Sequence, residues 1–151
     1  MIFPLLRITI GSILLASGFS KVIYPYQNFL YAVQAYQLLP GWAETLTAVV
    51  MPWIELFTGL FVVLGLWTPR ALRWSLMLFA VFIIAVGQAL MRGLPLERCG
   101  CFGSWVHAKP EQVIVFDSAC FLIIFVLLNN LPKALRFSID SKFFPSPRGR
   151  G

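Results

Sequence analysis

Four apolar runs, each close to the length of a membrane-crossing helix, leave this chain few folds to choose from. They extend from Ile2 to about Lys21, from about Ala43 to Trp67, from about Ala71 to Met91, and from about Glu111 to Leu131. The hydrocarbon layer of a bilayer is about 30 Å thick and a helix rises about 1.5 Å per residue, so about 20 apolar residues are needed to cross it. Breakers or charges bound every run: Pro25 after the first, Thr68 to Arg70 (TPR) after the second, Arg92 to Pro95 (RGLP) after the third, and Pro132 with Lys133 after the fourth. Of the 151 residues, 59% are hydrophobic and 12% are charged, whereas a soluble domain has roughly 25% charged residues. A water-soluble domain of this size leaves too much of its area exposed to hide such a composition. The expectation is an all-α, integral membrane four-helix bundle over residues 1–132, with a basic, disordered cytoplasmic tail over 133–151. The first run has no basic leader before it and no small-residue cleavage site ending in Ala, so it is expected to be a retained span rather than a signal peptide.

Between the first two runs lies YQNFLYAVQAYQLLPG, from Tyr26 to Gly41. Phe29, Val33 and Tyr36 recur at helical spacing, while Gln27, Gln34 and Gln37 supply polar positions. The segment is too short and too polar to span, and is expected to be an amphipathic helix that lies at the membrane interface or caps the bundle. With four spans, Arg7, Arg70, Arg73, Lys133, Arg136, Lys142, Arg148 and Arg150 fall on one side, and Lys21, Arg92, Arg98 and Lys109 on the other. This imbalance favours both termini in the cytoplasm of a bacterial inner membrane, with the 92–109 connection expected in the periplasm. The net charge of +6 is spread over span ends and a loose tail, FFPSPRGRG, which suits anionic headgroups. It forms no packed basic surface, so the lipid bilayer is the expected partner and nucleic acid is not.

The connection after the third run contains ERCGCFGSW, from Glu97 to Trp105, and with it two of the three cysteines. In an oxidising compartment nearby thiols pair, and a Cys99–Gly100–Cys101 disulfide would close a very small ring. Departure from relaxed disulfide geometry makes such a bond easier to reduce, and Gly100 supplies the backbone freedom that the ring demands. A labile, exposed disulfide suits electron exchange better than stapling. Arg98 beside Cys99 favours thiolate, the attacking species. His107 and Asp117 are candidate proton carriers, although a single loop histidine is more often simply solvated. Cys99, Cys101 and His107 fall short of the four ligands that a structural zinc site prefers, so a metal site ranks below redox chemistry. Cys120 lies on the order of 14 Å below the outer end of the fourth run. It reads as a small apolar side chain ahead of a third exchanging thiol.

Ionisable groups inside the runs should face the bundle interior, because unpaired charge against lipid is expensive. Counting helical rise from the run ends leaves Arg7 and Glu55 on the order of 10 Å apart in depth, a gap that long side chains nearly close, so a structural pair is one expectation. Asp117 falls at a level where Lys21, Gln88 and Arg92 are expected to reach it. That outer cluster underlies the cysteine loop, with charge neutralisation as the competing explanation.

ASGFSKVIYP, at Ala16 to Pro25, and PWIELFTGLFVVLGLWTPRA, at Pro52 to Ala71, resemble the DoxX-like membrane proteins. The shared features are a Gly-x-x-Lys-x-x-x-Pro exit from the first span and a Glu-Leu-x-x-Gly-Leu second span. RCGCFG, at Arg98 to Gly103, resembles the MauE branch in particular, and the likeness covers about the first 130 residues. The resemblance implies a four-helix, redox-associated membrane protein, and places Lys21, Glu55, Cys99, Gly100 and Cys101 in motif positions. It also implies work in the maturation of a disulfide-rich periplasmic protein beside a thioredoxin-like partner. The leading expectation is thus a membrane thiol-disulfide oxidoreductase or disulfide-maturation factor. A membrane quinone as second electron partner follows only by analogy with quinone-coupled disulfide enzymes of similar span number. The alternative is a non-enzymatic scaffold with a structural disulfide. A small transporter has less support, because no paired broken-helix repeat is evident.

Overall fold

The computed structural model describes residues 2–94 and 109–134. Among them are six helices: α1 (Ile2–Ile23), α2 (Tyr26–Ala35), α3 (Gly41–Leu64), α4 (Thr68–Met91), α5 (Pro110–Asn129) and the single turn α6 (Leu131–Ala134). Helices α1, α3, α4 and α5 are long and apolar enough to cross a membrane. The protein is an all-α, multi-pass membrane protein, and α2 lies between the first two spans, as the sequence pattern requires. Large apolar side chains such as Ile84, Val115 and Leu122 point outward, as they should where the solvent is lipid.

Two boundaries differ from the sequence reading by three residues, and the others by two or fewer. The second span stops at Leu64, not Trp67, because Gly65 enters the left-handed region at φ 69° and its N–H bonds the Phe61 carbonyl. A residue without a Cβ adopts that conformation cheaply, which ends the helix there. Thr68 and Pro69, read as a break, instead begin α4. Proline has no N–H to donate, and the first turn of a helix needs none.

The α1–α3 pair is the closest contact in the bundle. A Cβ added at Gly18 would lie 2.6 Å from the Leu56 amide nitrogen, and one at Gly59 would lie 2.5 Å from the Leu15 amide nitrogen. Gly11 meets Val63 in the same way. Small residues therefore let two backbones approach to direct contact, which is how helices gain packing energy when lipid offers no hydrophobic drive. Increasing numbers on α1 meet decreasing numbers on α3, so the pair is antiparallel, with Glu55 level with about Gly18.

Helices α4 and α5 form the other closely packed pair, and α2 rests mainly on α3. The C-terminal ends of α1 and α4 and the N-terminal ends of α3 and α5 consequently share one end of the bundle with α2. The buried core falls into two apolar clusters. The larger holds Ile10, Leu14, Val62, Leu72, Phe79, Cys120, Ile124 and Leu127, among others. The smaller, nearer α2, holds Tyr36, Val86, Ala89 and Val113. On α5 the buried seam runs Val113, Asp117, Cys120, Ile124, Leu127, so Asp117 stands between the two clusters.

Candidate functional site

A polar layer interrupts the core at that level. Lys21, at the end of α1, donates to both carboxylate oxygens of Glu55 on α3, at 2.7 Å and 2.8 Å. Ser17 Oγ, one turn earlier on α1, donates to Glu55 Oε2 at 2.8 Å, and Ser20 donates to the Ser17 carbonyl. Lys21 and Glu55 are 4% and 0% exposed, so this ion pair is withdrawn from both water and lipid. Phe29 of α2 and Phe82 of α4 present their rings to the Lys21 ammonium, with centroids 4.8 Å and 5.2 Å away. The cation therefore has carboxylate on one side and aromatic faces on others, an arrangement that holds a desolvated ammonium in place.

Asp117 lies within electrostatic reach of both Lys21 and Glu55. It is 1% exposed, and its Oδ2 has no hydrogen-bond partner among the described residues. One turn along α5, Cys120 is a buried free thiol that packs in the larger apolar cluster, consistent with the behaviour of a small apolar side chain.

The structure corrects two expected pairings. Glu55 does not pair with Arg7. The glycine-mediated register sets Glu55 opposite the Gly18 level, about 16 Å along α1 from Arg7 at helical rise, and Lys21 takes the carboxylate instead. Arg7, at the opposite end of the bundle, donates to the Ala134 carbonyl of α6. Nor do Gln88 and Arg92 bond Asp117. Gln88 Nε2 donates to the Tyr36 carbonyl at 2.9 Å, while Arg92 donates to the Gln37 carbonyl and to Gln88 Oε1, each at 3.3 Å. These α4 side chains clamp the carbonyls that α2 leaves open at its C-terminal end, where a cation is also favoured. Gln37 sits there at φ 49°, turning the chain from α2 toward α3.

Ser17 and Phe82 belong to the layer and were not singled out from the sequence, and Phe29 was read only as part of the apolar face of α2. Ser17 was readable as the residue one turn before Lys21 on the same seam, whereas the two rings carried no mark separating them from ordinary packing residues. Arg98, Cys99, Gly100, Cys101 and His107 lie outside the described residues. Their flanking anchors, Leu94 and Lys109, belong to the end of the bundle that carries α2. Among the described residues no group of three or more metal-ligating side chains occurs.

A family model described as "Methylamine utilisation protein MauE" matches residues 1–129. The chain belongs to the MauE family. Its similarity extends to the "Methylamine utilization protein MauE" of Methylorubrum extorquens, with 30% identity over 107 residues, 71% of this chain and 58% of that protein. The protein of the same name from Paracoccus denitrificans is 26% identical over 141 residues, 92% of this chain and 75% of that one. The match to the Methylorubrum MauE thus spans less than two thirds of that protein's length. No solved structure matches the chain. The MauE match takes in Lys21, Glu55 and Asp117 together with the Cys-Gly-Cys stretch, and stops short of the basic C-terminal residues.

Proposed function

We propose that this MauE-family chain is a membrane thiol-disulfide oxidoreductase or disulfide-maturation factor, in which Cys99 and Cys101 exchange electrons with a thioredoxin-like protein on the extracytoplasmic side. The observation that carries the reading is RCGCFG, a pair of sulfurs one residue apart in a segment anchored to the polar-layer end of the bundle. A thiolate of one partner attacks a sulfur of the other's disulfide, and a mixed disulfide forms. The second thiol of the pair then displaces it, leaving one partner oxidised and the other reduced. Net turnover needs a second electron partner, for which a lipid-soluble quinone is chemically matched. When Cys99 and Cys101 join, two S–H bonds break and one S–S bond forms, while two electrons and two protons pass to the quinone oxygens. The reverse reaction balances identically.

In this reading residues 1–132 form the membrane domain and 133–151 a cytoplasmic tail, with both termini in the cytoplasm, in line with the arginine and lysine distribution. Lys21, Glu55 and Asp117 then support the redox end from within, and methylamine itself need not be the metabolism served. The test is trapping. Cys99→Ser or Cys101→Ser, expressed with a periplasmic thioredoxin-like protein, is expected to accumulate a mixed disulfide that reductant releases. Absence of any such adduct from both single variants, with the double variant still holding its partner, would replace this reading with a scaffold. Thiol labelling of intact cells checks the side of the membrane.

A further inference from the structure

At the end of the bundle away from α2, the chain is cationic and holds almost nothing to balance that charge. Residues 2–16, 56–76 and 118–134 build this end, and none of them is Asp or Glu; the chain beyond holds Asp140 against four arginines and lysines. Arg7 is buried there and donates to the Ala134 carbonyl. Arg70 and Arg73, in contrast, are exposed on the first two turns of α4. They stand three residues apart on one helix, so their guanidinium groups can reach the same patch. An exposed cationic pair, in a region whose described helices carry no carboxylate, is complementary to an anion.

The neighbours restrict which anion that is. Arg70 lies over the Trp67 ring, 5.5 Å from its centroid, a contact that orders a guanidinium without neutralising it. Trp67 and Trp74 are 62% and 58% exposed, and indoles open to the outside at a span end belong at headgroup level. Arg70, Trp74, Met77, Val81 and Ile84 recur at steps of four and three, and so share one face of α4. Beyond the tryptophans that face is apolar and uncovered, with Met77, Val81 and Ile84 exposed by 60%, 51% and 66%. Forked cations thus stand above an open apolar track that runs about 16 Å from Arg73 to Ile84 at helical rise. A soluble phosphate would use only the cations, whereas a phospholipid uses both parts, and a guanidinium meets phosphate oxygens with two parallel N–H donors. We propose that Trp67, Arg70, Arg73 and Trp74 form a binding site for an anionic phospholipid. Its phosphate lies between the two guanidinium groups and one acyl chain follows Met77, Val81 and Ile84. The assignment is independent of the thiol chemistry at the other end of the bundle.

Tryptophan quenching by brominated lipid tests the assignment. The probe chain carries Trp42→Phe, Trp53→Phe and Trp105→Phe, so that Trp67 and Trp74 alone emit. It is reconstituted in phosphatidylcholine vesicles with a minor fraction of brominated phosphatidylglycerol, or with the same fraction of brominated phosphatidylcholine. Phosphatidylglycerol is expected to quench as though bound about fivefold or more tightly, the effect of an arginine beside an anionic headgroup. Arg70→Gln combined with Arg73→Gln is expected to bring the two lipids to equal quenching, with circular dichroism of the same vesicles establishing that the variant is folded. A chain that retains Trp42 alone, in the first turn of α3 at the opposite end, is expected to show no preference for phosphatidylglycerol. Equal quenching by the two lipids in the probe chain overturns the assignment, as does a preference that survives loss of both arginines or is as strong at Trp42. Soluble glycerol phosphate, added at constant ionic strength, is expected to leave the preference intact. Its abolition would assign the arginines to a soluble anion and overturn the lipid site.

Discussion

Removing one partner of the Lys21–Glu55 pair should be far worse than removing both. Glu55 accepts three hydrogen bonds, at 2.7, 2.8 and 2.8 Å, two of them from Lys21. At that separation the gross attraction is about 6 kcal/mol for an effective dielectric constant of about 20. Desolvation of each ion costs several kcal/mol in return, so the intact pair gains little over two apolar side chains, whereas a lone buried charge loses about 3–5 kcal/mol. Glu55→Leu alone should therefore destabilise the fold by about 3 kcal/mol, and Lys21→Met alone, which strands the Glu55 carboxylate beside Ser17, by a similar amount. The double variant should lie within about 1 kcal/mol of the parent, a coupling of about 5 kcal/mol. Equilibrium unfolding in mixed micelles, followed by tryptophan fluorescence, measures all four corners of the cycle. Lys21 stands two residues from the end of α1, and a long side chain can swing its charge outward. If Glu55→Leu costs less than about 1 kcal/mol, or if the two single costs simply add, the ammonium escapes outward or turns to Asp117 and the reasoning fails.

Three further outcomes follow from the packing. Gly59→Ala should force α1 and α3 apart, because its Cβ would meet backbone rather than a movable side chain; a loss of about 1–3 kcal/mol in unfolding free energy is expected, and a neutral result would refute the close approach. Asp117→Leu should leave the fold unchanged or more stable by about 1–3 kcal/mol, measured in the same assay, and a clear destabilisation would reveal a partner for Oδ2. Arg92→Ala combined with Gln88→Ala should release the carbonyls of Tyr36 and Gln37, and faster hydrogen exchange at the end of α2, with the α5 amides unchanged, is the measurement that reports it.

The spans were legible because length and apolar content are set by the bilayer itself, and α2 because its polar positions alternate with an apolar face. Their ends shifted by up to three residues, since Gly65 and Pro69 act through backbone conformation that composition does not display. Pairing was not legible. Counting from span ends placed Arg7 against Glu55, but the register between α1 and α3 is fixed by Gly11, Gly18 and Gly59, which let backbone meet backbone. Gln88 and Arg92 were assigned to a carboxylate, yet they bond main-chain oxygens, and a main-chain acceptor leaves no signature in the residue types. The cysteine pair was read from residues 99–101 alone, on the chemistry of adjacent thiols.

The energetic balance of the polar layer bears on why it is there. Lys21, Glu55 and Asp117 each occupy a seam position of their helix, where leucine or methionine would join the two apolar clusters into one. Such a core would span the membrane at least as stably, since the ion pair roughly cancels its own desolvation and the third carboxylate has an oxygen that no described residue serves. The layer also lies at the end of the bundle that carries Leu94 and Lys109, the anchors of the cysteine segment, while Arg7 at the far end is bonded to a helix-terminal carbonyl. A layer that contributes little to folding, at the end of the bundle that carries Leu94 and Lys109, is not accounted for by stability alone, and a Lys21→Met, Glu55→Leu protein that folds normally would separate folding from any other role of the layer in one molecule.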